Sequence, residues 1–232
     1  LDVRTILRVA REKGLAGVAV TDHGTVAGGL AAREANRDGT FFVIPGAEYA
    51  TDAGHLLGLF LPAELELPGR GPWRWQEVVA AIRARGGLAF LAHPFKHRHH
   101  LPPALLAALD GLETFNARAG HGGNPKANAD AAALAARLGL AVSGGSDAHW
   151  VGEIGRGYWE LPGDEGASTE EKIREMLAQG RGRAGGRPSP LYYETCSQAL
   201  QAARLKEYRR LPRIMGKLVL SCAGLRAKQR RS

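Results

Sequence analysis

Short apolar runs alternate with helix-patterned segments along most of this 232-residue chain, and that alternation constrains its fold more than any other feature. Residues 17–21, 41–44, 55–61, 88–92, 112–115, 140–143 and 158–161 read as strands, each bounded by Gly, Pro, Asn or Asp. Residues 3–13, 31–36, 75–85, 103–109 and 125–138 carry helical spacing. Asp2 is placed to cap the first helix and Gly14 to stop it, while Pro125 suits a first helical turn. Ser168-Thr169-Glu170-Glu171 opens a further helix as a capping box. Strands alternating with helices argue for an α/β domain with a mainly parallel sheet, closed or open.

At 232 residues and 44% apolar content the chain has enough material for one sizeable core. No apolar run reaches the roughly 18 residues expected of a membrane span, and the opening Leu1-Asp2-Val3-Arg4 does not read as a signal peptide. Two distant cysteines, Cys196 and Cys222, make no disulfide framework, so a reducing cytoplasm is the expected home.

The net charge of +8 resembles a nucleic-acid signal until it is located. Residues 187–232 hold eight Arg and three Lys against Glu194 and Glu207, a net +9 that leaves the rest at −1. The body is near neutral, so a global charge argument for nucleic-acid binding by it fails. The expected division is a catalytic body at residues 1–186 and a basic helical extension at 187–232. Residues 180–190, rich in Gly, Arg and Pro, read as a linker; residues 195–209 and 214–226 have helical patterns with basic faces.

Five polar clusters fall at the ends of expected strands: Asp22-His23, Glu48, His55, His93, and Asp147 with His149. In parallel α/β folds the C-terminal strand ends converge on one face, where ligands bind. His55 begins its strand and needs an antiparallel partner or a tight return from Glu48. Imidazoles and carboxylates together suit manganese, zinc or iron, and such ions about 3.5–4 Å apart can clamp a phosphoryl group. Each residue also has a plainer reading: Asp22 as a cap, Glu48 as a surface group, His55 as a strand-edge histidine, His93 as a strand terminator, Asp147 and His149 as loop hydrogen-bonders. Their joint occurrence at successive strand ends favours the metal site. The body has no cysteine nucleophile, no serine elbow and no phosphate-binding P-loop. Arg118, in a loop with His121, is a candidate phosphate ligand through its planar fork. His97, His99 and His100 read as a solvated loop.

These residues resemble the polymerase-and-histidinol-phosphatase (PHP) family. The matching pieces are Thr21-Asp22-His23, Pro45-Gly46-Ala47-Glu48, Gly54-His55-Leu56-Leu57-Gly58, Ala92-His93-Pro94, Glu113-Thr114-Phe115-Asn116 and Gly145-Ser146-Asp147-Ala148-His149, in family order over about residues 1–160. The resemblance implies a distorted (β/α)7 barrel with up to three divalent metals at its mouth. It implies that His23, Glu48, His55, His93, Asp147 and His149 are metal ligands, with Glu48 bridging and Asp22 supporting them. The family's opening strand, ending in His-x-His, has no counterpart before His23. The chain therefore reads as N-terminally truncated, with its first barrel strand missing and fewer metals held. The implied activity is metal-dependent phosphoester hydrolysis on nucleotides or short RNA ends. The competing reading is an impaired enzyme that binds nucleic acid or an anionic surface through Lys206, Arg209, Arg210, Arg213, Lys217, Arg226, Lys228, Arg230 and Arg231.

Overall fold

The computed structural model describes residues 1–97, 100–162, 169–216 and 218–219. Helix α1 (Val3–Glu12) starts where Asp2 accepts hydrogen bonds from the backbone N–H groups of Arg4 and Thr5, and Gly14, at φ +73°, ends it. There follow β1 (Gly17–His23), α2 (Ala27–Ala35), β2 (Phe42–Thr51), β3 (Gly54–Leu59), α3 (Trp75–Ala84), β4 (Leu88–Leu91) and α4 (Pro103–Ala107). The chain continues through β5 (Gly111–Asn116), α5 (Ala127–Leu138), β6 (Ala141–Gly145), β7 (Gly157–Glu160), α6 (Glu170–Ala178), β8 (Arg183–Gly186) and α7 (Leu191–Arg204). Thr169 caps α6 by accepting from the Lys172 N–H, whereas Ser168 lies outside the described residues.

Strands β1 to β6 form one curled half-barrel sheet in sequence order. β1–β2, β4–β5 and β5–β6 pair in parallel, while β3 runs antiparallel to both neighbours. Strands β7 and β8 make a separate antiparallel pair. The expected α/β class holds in this coarse form.

Side-chain alternation gives the six-stranded sheet two distinct faces. The outer face sets Leu56, Ala89, Leu91 and Leu112 against Val78, Ile82 and Leu105 of the covering helices, with Val18, Val20 and Val43 packed against α1 and α2. The inner face carries Phe42, Ile44, Leu57, Leu59, Leu88 and Phe90, sealed by Ile173 and Leu177 of α6. Phe90 is fully buried there, and truncating such a side chain to Ala typically costs about 3–5 kcal/mol. This apolar plug fills one end of the half-barrel; the polar residues gather at the other.

Three expectations are corrected. Pro45-Gly46 does not end the second strand: β2 runs through it to Thr51, pairing Pro45 with Val20 and Gly46 with Thr21. Proline removes one donor only, and the Pro45 carbonyl still accepts from the Leu61 N–H at 3.0 Å. Gly46 is needed because the Gly58 carbonyl lies 2.4 Å from where a Cβ would sit. Residues 180–190 are not simply a linker, because β8 lies within them. Gly182, just before β8, serves close packing, since a Cβ there would meet the Trp159 ring at 2.5 Å. The helix expected over 195–209 begins at Leu191, behind Pro190, and ends before Lys206, which has φ 57°. Thr195 and Ala202 on α7 are buried. Of the helix expected over 214–226, residues 214–216 and 218–219 are helical. Lys217, Cys222, Arg226, Lys228, Arg230 and Arg231 lie outside the described residues, as do Arg98 and His99. No helix among the described residues is long and apolar enough to cross a membrane.

Candidate metal centre

Strand parity decides which polar residues meet. In β2 the inner positions 42 and 44 lead, two by two, to Glu48; in β3 the inner positions 57 and 59 lead back to His55. The parallel register sets His23 of β1 beside Glu48, and the antiparallel β2–β3 return sets His55 opposite Ala50. Residues directly opposite each other share a face, so all three side chains point inward. His93 and Asp147 follow β4 and β6 at φ 30° and 49°. Such values are uncommon for non-glycine residues and cluster at functional sites.

The half-buried His55 ring meets Glu48 through Nδ1, 2.5 Å from Oε1. His93 Nε2 lies 3.1 Å from the same oxygen, and His23 Nδ1 lies 3.5 Å from Oε2. One donor atom each from Glu48, His55 and His93 falls within a 4.8 Å span. The His23 and His149 rings lie 5.7 Å apart, and His149 Nδ1 is 3.3 Å from Asp147 Oδ1. All six residues line one cavity of about 210 Å³, together with Lys96, His97, Arg118, His121 and Glu194.

The electrostatics follow from burial set against partners. Burial pushes the Glu48 carboxyl upward, but hydrogen bonds with His55 and His93 outweigh it and hold the group well below the usual range. Burial works against charging His93, yet its contact with Glu48 raises it overall. Asp147 is lowered because Lys96 overcomes the cost of burial; Lys96 Nζ donates to Asp147 Oδ2 at 2.7 Å. Burial pushes the Glu113 carboxyl up to about 7, with nearby Asp147 adding to the shift against the opposing effect of His93. Glu113 Oε2 accepts from the His93 backbone N–H at 2.9 Å and from Asn116 Nδ2 at 3.0 Å, and so holds the strained His93 turn.

A second layer supports the far wall. Arg118 Nη1 donates to His149 Nδ1 at 2.5 Å, and Arg118 Nε lies 3.4 Å from Glu153 Oε1. Glu153 has no exposure, and its Oε2 accepts from the N–H groups of His149 and Trp150, both at 3.0 Å. His121, expected in a flexible loop, has a mostly buried ring. Its Nε2 donates to the Ser189 carbonyl at 2.7 Å, and its Nδ1 lies 2.9 Å from Glu194 Oε2 on α7.

Asp22 is not brought into this group. Its parity is that of Val20, and its Oδ2 lies 1.8 Å from where a Cβ on Gly28 would sit, against α2 on the outer face. His97 lines the cavity, while His100 is exposed and does not. Lys96 belongs to the 96–100 loop that the sequence offers, beside Arg118, as a possible phosphate holder, whereas Glu113, Glu153 and Glu194 carry no such assignment. Glu113 sits within a matched motif and has the inner parity of Gly111, which was a usable signal; Glu153 and Glu194 have no comparable local pattern.

The donor set fits divalent metal ions: imidazole nitrogens and carboxylate oxygens converge on a largely buried Glu48, with no thiolate among them. The PHP-associated family model matches residues 125–181, which run from the start of α5 to just beyond α6. That match, and the site's residues, make the chain similar to PHP-domain proteins. A Methanocaldococcus jannaschii protein, uncharacterised, is 35% identical over 122 residues, 49% of this chain and 66% of that protein. A second uncharacterised protein of that organism is 32% identical over 130 residues, half of each. The chain thus spans about half to two thirds of the length of these curated relatives. Among solved structures, one from Bifidobacterium adolescentis described as a metal-dependent phosphoesterase aligns with TM-score 0.52 at 23% identity, covering 77% of this chain and 91% of that one. PsfC from Pseudomonas syringae aligns with TM-score 0.59 at 19% identity, covering 86% and 90%. These likenesses show a shared fold.

Proposed function

We propose that this chain is a metal-dependent hydrolase of phosphoesters, with nucleotides or short RNA ends as the substrate class. One observation carries the reading: three imidazoles converge on the single carboxylate of Glu48, and two cations, Lys96 and Arg118, line the same cavity. Glu48, His55 and His93 would hold one ion most closely, with His23, Asp147 and His149 completing the donor set. When bound, divalent ions supply Lewis acidity toward a phosphoryl oxygen and its attacking water.

The chain's own residues bind and orient. Arg118 offers a planar fork suited to phosphate oxygens, held in place by Glu153 on its inner side. Lys96 supplies a point charge, tethered by Asp147. Charge that develops on phosphoryl oxygens is best stabilised by such pre-placed cations, which need no reorganisation during reaction. Asp22 is assigned a supporting role through the β1–α2 junction and no contact with substrate.

The test is chelation followed by add-back. Metal-free protein should release no phosphate from nucleoside monophosphates or 5′-phosphorylated oligoribonucleotides, and manganese, zinc or iron should restore release. Arg118→Ala should reduce turnover without emptying the Glu48 site. Failure of every metal to bind at Glu48, His55 and His93 would refute the proposal outright.

A further inference from the structure

We propose that the surface formed by residues 205–219 docks this protein on an anionic lipid bilayer. Nine large apolar side chains are exposed among the described residues, and six of them lie within the short stretch 191–219. Leu205, Tyr208 and Val219 are the most open, at 59%, 60% and 65%. The stretch is held in place, because Ala202 and Ile214 are buried while Met215 beside Ile214 faces out. Leu205, Tyr208, Met215 and Val219 are therefore left exposed by a packed segment.

Charge decides what covers them. Lys206, Arg209, Arg210 and Arg213 are exposed between the apolar groups, and the one acid among them, Glu207, is paired with Arg210. The sequence beyond residue 219 adds four basic residues and no acid. A second copy of a segment this basic would repel the first. RNA would satisfy the cations but gain little from Leu205, Met215 and Val219, since single strands are held by aromatic stacking and Tyr208 is the one exposed aromatic in the stretch. An interface of anionic headgroups over acyl chains accepts both: aliphatic groups enter the boundary while Lys and Arg reach back to the headgroups. The surface is separate from the metal centre and does not depend on the hydrolytic reading.

The experiment is vesicle flotation of the whole protein. Vesicles of equimolar phosphatidylcholine and phosphatidylglycerol should carry it, and pure phosphatidylcholine should not. Arg209→Gln with Arg213→Gln should weaken partitioning by about fivefold per residue changed. The combined Leu205→Ser, Met215→Ser and Val219→Ser variant replaces exposed groups only, keeps its helical circular dichroism, and should lose the fraction that resists high salt. Absence of flotation on anionic vesicles would overturn the proposal. So would a serine variant that floats as well as the parent, or retention by a single-stranded oligoribonucleotide without any by vesicles.

Discussion

Glu153 offers a sharp test of the site's architecture, because it lies outside every recognised motif. It is fully buried, lies 3.4 Å from the buried Arg118 guanidinium, and accepts hydrogen bonds from two backbone N–H groups. Glu153→Ala would strand a buried cation and two donors together. Breaking a buried ion pair by removing one partner costs about 3–5 kcal/mol. Both groups are out of solvent, so screening does not reduce the figure. In a domain of this size each kcal/mol lowers Tm by about 2–4 °C, which puts the expected drop near 8–16 °C for a loss of about 4 kcal/mol. Urea denaturation should be followed by circular dichroism with a chelator present, so that metal binding does not enter. Arg118→Ala and the double variant complete a cycle, and the double should cost about 2 kcal/mol less than the two singles together. A Glu153→Ala cost below about 1 kcal/mol, or additivity within about 0.5 kcal/mol, would show that the pair does not hold this wall.

Glu48→Gln and His55→Ala should each lower manganese or zinc affinity in equilibrium dialysis by more than the roughly 10–100-fold typical of outer-layer changes; unaltered affinity in either would remove these ligands from the set. Asp22→Asn should leave metal content unchanged while His23→Ala reduces it, because strand parity separates the two side chains; equal losses would refute that separation. Contact with His121 holds the Glu194 carboxyl below its ordinary 4.5. A depressed acid contributes stability above its unfolded value, and that contribution is lost as pH falls through the lower folded value. The stability gap between the parent and Glu194→Gln should therefore be constant well above pH 4.5 and shrink below it in urea titrations; a gap that widens on acidification would contradict the assignment.

Much of the inner face was legible because a strand's two-residue period is visible in sequence. The candidate ligands His23, Glu48, His55, His93, Asp147 and His149 all mark strand ends or nearby positions. Applying parity would also have separated Asp22 from His23, since Val18 and Val20 fix the outer face of β1. The errors came from punctuation residues read locally. Pro45-Gly46 and Gly185-Gly186 are turn signals in isolation, yet the neighbouring strands keep them in sheets. Glu153 and Glu194 escaped because their roles depend on partners, Arg118 and His121, that are distant in sequence.

Because strand order in the sheet equals chain order, each strand leaving the ribosome finds its neighbour already made. The β2–β3 hairpin brings Glu48 and His55 together by residue 59, before β4 to β6 are made. His93 joins after β4, while Asp147 and His149 arrive only after β6. The candidate site is thus assembled in stages along the chain, its β2–β3 part first and its β6 part last.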